Sequence, residues 1–198
     1  MKIHMKPKYI VAFLCIAVLV IACSLLTSGP NRNTATDSEY VTVGSDLTVH
    51  NTDDRLTLFS NMDALSANGL YYASWTAGNS EPYINIDGDT VDLYDAQLHL
   101  LLGEFKSSDT AQENLDAWYD IGSTNYDVTG KKTVTCNGQP YTLVTYNLLN
   151  EEDPYARGVS AFGVNNTTAV CAELTCRENY HEDLEEMLTE FLDNFNYN

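Results

Sequence analysis

Residues 133–146 read TVTCNGQPYTLVTY, and this stretch decides the fold class of the chain. Two β-prone runs flank the pair Asn137-Gly138. Asn-Gly favours the two-residue turn of a β-hairpin, because both positions of that turn adopt a positive φ. We therefore predict antiparallel strands at residues 131–136 and 141–146.

Similar β-prone runs occur on both sides of this hairpin. Upstream they lie at residues 56–59, 70–75, 83–86, 90–94 and 97–105, and downstream they lie at residues 157–164 and 168–176. Asp87-Gly88 separates the third run from the fourth and predicts a second hairpin turn. Asn165-Asn166 joins the two downstream runs, so we expect the sheet to be antiparallel.

Two segments change to a helical period. Residues 110–121 follow overlapping capping boxes that begin at Asp109 and Thr110. Residues 181–195 carry an apolar face with i, i+3, i+4, i+7 spacing. This order of elements indicates an α+β fold, in which an antiparallel β-sheet with hairpins is packed by a central helix and a C-terminal amphipathic helix.

The pattern resembles the PsbP-like domain, a fold of photosystem extrinsic subunits and of bacterial surface lipoproteins. The resemblance lies in the capped helix at residues 108–121, the hairpin TVTCNGQPYTLVTY, and a closing helix that ends in Phe195-Asn196-Tyr197. It covers residues 42–198 or so. The resemblance implies non-enzymatic binding or assembly and transfers no site residues, since one fold hosts unrelated functions.

The N-terminus combines three lysines with the apolar run YIVAFLCIAVLVIAC at residues 9–23, which is the composition of a signal peptide. The run ends in Val20-Ile21-Ala22-Cys23, which resembles a bacterial lipobox. In that family the cysteine is acylated and becomes the new N-terminus. The resemblance therefore implies a signal peptide at residues 1–22 and lipidation at Cys23.

An uncleaved signal anchor and simple release after cleavage are the alternatives. The anchor is supported by the length of the apolar segment, which is at the low end of what a membrane helix needs. Either form of anchoring places the rest of the chain outside the cell membrane, because lysines stay on the cytoplasmic side. We expect a polar flexible tether at residues 23–40 and one extracytoplasmic α+β domain at residues 41–198.

The chain carries 28 acidic residues and only 10 basic ones, so its formal net charge is −18. A field of this sign repels nucleic acid, and we expect no nucleic-acid partner. It keeps the domain soluble and favours cations or basic partners. A solvated acidic surface explains the same composition without any site.

Three cysteines follow the predicted anchor, at Cys136, Cys171 and Cys176. An odd count allows one disulfide and one leftover thiol. Cys171 and Cys176 are five residues apart, so they point to opposite faces of a straight strand. A disulfide that includes Cys136 and three buried reduced thiols both remain open.

The sequence shows no catalytic constellation and no cofactor motif. Asp87, Asp89 and Asp92 form a weak Ca²⁺ candidate, but an EF-hand loop would need acids at the positions of Tyr83 and Tyr94. A plain hairpin turn explains the same residues. We therefore predict no catalytic residues and no strong metal site.

Clustered aromatic residues are the remaining candidate for a binding face. Tyr71, Tyr72, Trp75 and Tyr83 lie close together in the sequence, and such side chains anchor ligands or protein partners. Ordinary core packing is the alternative, because large aromatic residues are mostly buried.

Three functions are compatible with this sequence. We expect a non-enzymatic, membrane-anchored lipoprotein that binds an unidentified envelope partner or small ligand. A hydrolase that uses surface carboxylates is the second hypothesis. The third is a structural or assembly factor of an envelope complex.

Overall fold

The computed structural model describes residues 40–62, 69–85, 88–150 and 153–197, without the side chains of residues 60–62. The predicted signal peptide, Cys23 and nearly all of the predicted tether lie outside these residues, as does Asp87. The described residues form two antiparallel sheets and two α-helices. The α+β class predicted from the sequence is therefore confirmed.

The larger sheet has seven strands in the order β3-β4-β5-β9-β8-β7-β6. Its strands are β3 (Leu56–Met62), β4 (Leu70–Ile84), β5 (Thr90–Glu104), β6 (Tyr126–Cys136), β7 (Gln139–Leu148), β8 (Arg157–Asn165) and β9 (Thr168–Cys176). The smaller sheet contains β1 (Tyr40–Val43), β2 (Leu47–His50) and β10 (Phe195–Tyr197) in the order β1-β2-β10. β9 is inserted between β5 and β8, so residues distant in sequence meet at the middle of the large sheet.

The hairpin predicted around Asn137-Gly138 is confirmed. β6 pairs with β7, and the two turn residues have φ values of 43° and 76°. The turn also contacts the C-terminus, because the Asn137 backbone N–H donates to Asp193 Oδ1 at 2.7 Å. The predicted downstream pair is confirmed as well, with Asn165 opposite Thr168 in the β8–β9 ladder.

β4 and β5 are longer than the sequence suggested. The four short runs between residues 70 and 105 merge into two strands of 15 residues each. Pro82 lies within β4 because β3 pairs with β4 only as far as Ala77, so that beyond this point β4 is an edge strand where a missing N–H is tolerated. The end of this hairpin forms a largely exposed arm, described at residues 78–85 and 88–95.

The first helix, α1, spans Ser108–Gly122. Its N-cap is Ser107, whose Oγ accepts a hydrogen bond from the Thr110 N–H at 3.2 Å. The helix therefore begins earlier than predicted, and the capping boxes expected at Asp109 and Thr110 do not form its start. A short 3-10 turn, Ser123–Asn125, follows it.

The second helix, α2, spans Leu184–Asp193 and is shorter than the predicted segment at both ends. Asp183 is the N-cap and accepts hydrogen bonds from the N–H groups of Glu185 and Glu186. Phe195 does not continue the helix, because it pairs with Val49 of β2. Neither described helix combines the length and the apolar character needed to cross a bilayer.

The two helices cover opposite faces of the large sheet. On the α2 side, the core contains the small sheet as well, and Trp75 packs edge-on against Phe191 with ring centroids 4.8 Å apart. On the α1 side, Trp118 and Leu115 pack with residues such as Leu101 and Phe162. Contacts from α1 fall mainly on β8 and β9, which leaves part of the β4–β5 surface uncovered by the helix.

The three cysteines at Cys136, Cys171 and Cys176 are free. Cys176 belongs to the α2-side core and Cys171 packs on the α1 side, which confirms their opposite orientation on β9. Cys136 lies on β6, three strand spacings from β9. That separation is about 14 Å, whereas a disulfide needs Cα atoms within about 7 Å, so no pair among the three is positioned to form a disulfide.

Candidate functional site

A groove of about 570 Å³ opens on the α1 side of the large sheet. Its floor comes from β5, β8 and β9, and one wall is the C-terminal end of α1. The arm of β4 and β5 forms a second wall, and the segment before β8 forms a third. We call this cavity the α1 groove.

Strand register aligns four polar residues on the α1 side of the large sheet, and three of them, His99, Ser160 and Glu173, line the groove. Ser74 pairs with His99, His99 with Glu173, and Glu173 with Ser160. Directly opposed residues point to the same face of a sheet, so the four side chains form one row. Ser74 Oγ is buried without a hydrogen-bond partner, so a nucleophile–base contact between Ser74 and His99 is not formed.

Glu173 is held by two stacked tyrosines. Tyr146 Oη donates to Glu173 Oε1 at 2.6 Å, and Tyr126 Oη donates to the same oxygen. The tyrosine rings stack with centroids 3.7 Å apart and an interplanar angle of 11°. Burial, followed by the charge of Glu173, raises the pKa of both tyrosines well above the ordinary value. Their hydroxyls therefore stay protonated and act as donors.

Glycine at position 158 makes this contact possible. Tyr146 and Gly158 are directly opposed across β7 and β8, and a Cβ at Gly158 would lie 2.6 Å from Tyr146 Oη. The missing side chain lets Tyr146 cross over β8 and reach Glu173 on β9. Ser160 Oγ lies within hydrogen-bond distance of both partners in this contact. It is 3.2 Å from Tyr146 Oη and 3.4 Å from Glu173 Oε1.

His99 forms the neighbouring part of the floor. Its Nδ1 is hydrogen-bonded to Tyr72 Oη, and its ring is buried. Burial lowers the pKa of His99, and the nearby Glu173 carboxylate opposes this only in part. The imidazole is therefore neutral near pH 7 and leaves the charge of Glu173 uncompensated.

Asp153 and Tyr155 line the third wall. The Tyr155 N–H donates to Asp153 Oδ1 at 2.9 Å, and Tyr155 Oη reaches Gln97 Oε1 at 3.4 Å. Burial raises the pKa of Asp153, the backbone hydrogen bond opposes this, and the charge of Glu173 adds to the rise. The charge of Glu173 therefore contributes to the raised pKa of Asp153 across the groove.

The walls are otherwise largely apolar and aromatic. Trp118 is 4% exposed, and its indole Nε1 is buried without a hydrogen-bond partner. Phe59 and Tyr94 meet edge-to-face with centroids 6.1 Å apart, and Phe59 is 41% exposed. Apolar walls with a few convergent polar groups are typical of small-molecule sites.

The structure does not bring the four aromatic residues singled out in the sequence to one exposed face. Trp75 is fully buried on the α2 side, and Tyr72 is buried against His99 on the α1 side. Tyr71 is half-buried on the α2 side and donates to Glu104 Oε2 at 3.3 Å. Tyr83 lines the α1 groove. Tyr72 is separated from Tyr71 and Trp75 because consecutive residues of a strand point to opposite faces of the sheet. Tyr83 reaches the α1 side because the register of β4 shifts between Ala77 and Ser80.

The weak Ca²⁺ candidate is not assembled by the described residues. Asp89 and Asp92 are exposed, and Asp92 lines the α1 groove. Asp87 lies outside the described residues. Within the described parts of the chain, no three His, Cys, Asp or Glu residues are grouped so that they could hold a metal ion.

Sequence reasoning missed the residues that build the groove, above all Glu173. Its signal was present, since Glu173 is a lone charge within the apolar run TAVCAELTC of β9. Such residues are almost never fully buried without partners, so a charge at that position indicates a polar cluster. The identity of its partners, Tyr126 and Tyr146, could not be read from the sequence.

Comparison with known proteins gives weak similarities to solved structures. No family model matches the chain, and no curated protein matches it either. The solution structure of cyanobacterial PsbP (CyanoP) from Synechocystis sp. PCC 6803 is 11% identical with a TM-score of 0.39, over 88% of this chain and 99% of that one. The extracellular domain of PknH from Mycobacterium tuberculosis is 14% identical with a TM-score of 0.35, over 86% of this chain and 92% of that one. With TM-scores below 0.5, these similarities assign neither a family nor a function.

Proposed function

We propose that this chain is a membrane-anchored extracytoplasmic protein that binds a small ligand in the α1 groove without transforming it. The anchoring and the outward orientation rest on the N-terminal sequence, with Cys23 as the lipidated residue. The binding role rests on the groove. A small ligand is favoured over a protein partner because the polar groups converge on the floor of a concave cavity.

The observation that carries this proposal is the combination of aromatic walls with a fixed carboxylate on the floor. The groove volume of about 570 Å³ falls within the roughly 300–1,000 Å³ typical of ligand sites. Glu173 is oriented by Tyr126 and Tyr146 before any ligand arrives. Such pre-organisation reduces the cost of ordering side chains on binding.

Native mass spectrometry of the full chain, extracted from its own membranes into lipid nanodiscs, tests the proposal. We expect a bound small molecule that is released on denaturation and that rebinds to the emptied protein. A chain that carries no small molecule and binds none from a membrane or culture extract would contradict the proposal.

Tryptophan fluorescence locates the ligand, because the chain contains only two tryptophans. Trp118 lines the groove, whereas Trp75 is buried in the core on the opposite face. We expect the released ligand to change the emission of the Trp75→Phe variant, in which Trp118 alone reports. The Trp118→Phe variant should show no change. A response from Trp75 alone would place the ligand elsewhere.

The anchor is tested separately by the intact mass of the membrane-extracted chain. A mature protein that begins at Cys23 and carries diacylglyceryl supports the lipoprotein assignment. A mass that retains residues 1–22 supports the signal anchor instead. The Cys23→Ser variant is the control, and lipidation predicts that its acyl mass is lost.

The hydrolase hypothesis is kept as a second candidate, because Asp153 and Glu173 both line the groove. Paired carboxylates in unlike environments serve as general acid and base in many enzymes. Mass spectrometry of the ligand after prolonged incubation distinguishes the two functions. An unchanged ligand supports binding alone, whereas turnover that is lost in Asp153→Asn supports the hydrolase.

A further inference from the structure

The charged residues that the structure describes in the α1 groove all carry the same sign. Asp92, Asp153 and Glu173 are among its lining residues, and none of the described residues that line it is lysine or arginine. Glu173 forms no salt bridge with a described lysine or arginine. An anionic ligand would therefore be repelled by each of the three described acidic groups of the groove.

Glu173 is a carboxylate whose charge is not neutralised by its neighbours. Tyr126 and Tyr146 donate hydrogen bonds to Oε1 but carry no charge themselves. His99, directly opposite in register, is neutral near pH 7. A half-buried charge without a counter-ion is costly, so a cation in the groove would remove part of that cost.

The aromatic walls add a second attraction for cations. Seven aromatic residues line the groove: Phe59, Tyr83, Tyr94, Trp118, Tyr126, Tyr155 and Phe162. A cation over an aromatic face is attracted by the negative potential of the ring, and quaternary ammonium ligands are commonly bound in this way. The same walls would bury the apolar body of a ligand.

We infer that the α1 groove selects an organic cation, an amine or quaternary ammonium compound with an apolar body. This inference rests on the proposed small-ligand function and adds the class of ligand. It is independent of the general acidity of the surface, because it depends on groups within one cavity. A set of probes of similar size and different charge separates it from non-selective apolar binding.

Three probes of similar size test the inference on the full chain in zwitterionic nanodiscs, with empty nanodiscs as the blank. The cation is benzyltrimethylammonium, the neutral isostere is neopentylbenzene, and the anion is 3-phenylpropionate. Calorimetry gives the dissociation constants, and Trp118 emission reports occupancy. We expect the cation to bind about tenfold more tightly than the neutral isostere, and the anion not to bind.

Charge-removing variants identify the group responsible. Glu173→Gln is expected to weaken binding of the cation about tenfold and binding of the neutral probe about twofold at most. Asp92→Asn, a substitution at an exposed position, should weaken binding of the cation about twofold. It is the alternative test if Glu173→Gln fails to fold. Glu113→Gln, an identical change on the exposed side of α1 away from the groove, is the control and should leave both affinities unchanged.

Several outcomes would overturn the inference. Equal affinities for cation and neutral probe, binding of the anion, or an equal loss in Glu113→Gln would each show that the groove does not select cations, while the small-ligand function would stand. Failure of all three probes would overturn the inference as well. The native-mass experiment then decides independently whether the groove holds any ligand.

Discussion

Tyr146 Oη on β7 donates a 2.6 Å hydrogen bond to Glu173 Oε1 on β9, two strands away. The contact crosses β8 above Gly158, where no side chain intervenes. The hydrogen bond holds the Glu173 carboxylate in place on the groove floor. Close packing of Tyr146 against Gly158 therefore determines where the negative charge of the proposed site lies.

Removing the Tyr146 hydroxyl should destabilise the fold. Tyr146→Phe leaves the carboxylate with one donor fewer, and a hydrogen bond to a charged group contributes about 1.5–3 kcal/mol. We expect a loss of about 2 kcal/mol in the free energy of unfolding, measured by urea titration. Tyr141→Phe is the matched control, because Tyr141 shares a neutral hydroxyl contact of 2.7 Å with Tyr197 on the opposite face. A control that loses as much as Tyr146→Phe would contradict a special role for Glu173.

Adding a methyl group at Gly158 should displace Tyr146. The new Cβ would lie 2.6 Å from Tyr146 Oη and 2.7 Å from Cζ. We expect Gly158→Ala to cost about 1–3 kcal/mol, as overpacking does elsewhere. In a Tyr146→Leu background the same substitution should cost less, because the clashing ring is gone. A double-mutant cycle measures this coupling, and additive losses would contradict the contact.

Cys136 should react slowly with iodoacetamide in the folded protein. Burial raises the pKa of its thiol from 9.0 to about 11, so at pH 8 the thiolate is about 100-fold less populated than in an ordinary cysteine. The reaction rate should rise about tenfold per pH unit up to that value. Peptide mapping after timed labelling gives the rate for this residue. Labelling in urea is the control, and equal rates in both states would contradict the prediction.

Arg55 should contribute measurable stability, because it pairs with more than one carboxylate. Its Nε lies 2.8 Å from Asp53 Oδ1, and a second nitrogen lies 2.6 Å from Glu190 Oε2, so it ties the start of β3 to α2. We expect Arg55→Met to cost about 1 kcal/mol at low salt and less in about 0.5 M NaCl, because such networks are screened.

Lys132 offers the matched comparison for Arg55. It pairs with Glu185, but its side chain is solvent-exposed. Lys132→Met should leave the urea midpoint unchanged, since exposed single pairs add little. If the two substitutions change the free energy of unfolding equally, the Arg55 contacts contribute no more stability than an exposed single ion pair.

Local features of this protein follow from the sequence alone. Asn137-Gly138 specified a tight turn because those two residues accept positive φ at low cost. The apolar spacing of α2 identified the face that packs on the sheet, since a helix must bury such a stripe. Each inference needed only residues within about one helical turn or one hairpin of each other.

Element ends were less well predicted, and the reason is tertiary. Phe195 fits the helical period, but pairing with Val49 draws it into the small sheet. Pro82 looks like a strand breaker, yet among the described strands only β5 pairs with β4 at that point, so the missing N–H of proline is tolerated. In both cases the outcome depended on whether a strand distant in sequence pairs at that position.

The groove was decided by tertiary structure alone. His99, Ser160 and Glu173 lie on three separate strands, and they form one row because β9 pairs with β5 on one side and β8 on the other. The β5–β9 pairing joins segments about 70 residues apart, and long-range pairing of this kind leaves no periodic signal in the chain. The sequence by itself determined the α+β class, the Asn137-Gly138 hairpin, the presence of the two helices and the sign of the overall charge. Which charges share a cavity depended on strand order and register, because only these place side chains from distant segments on the same face.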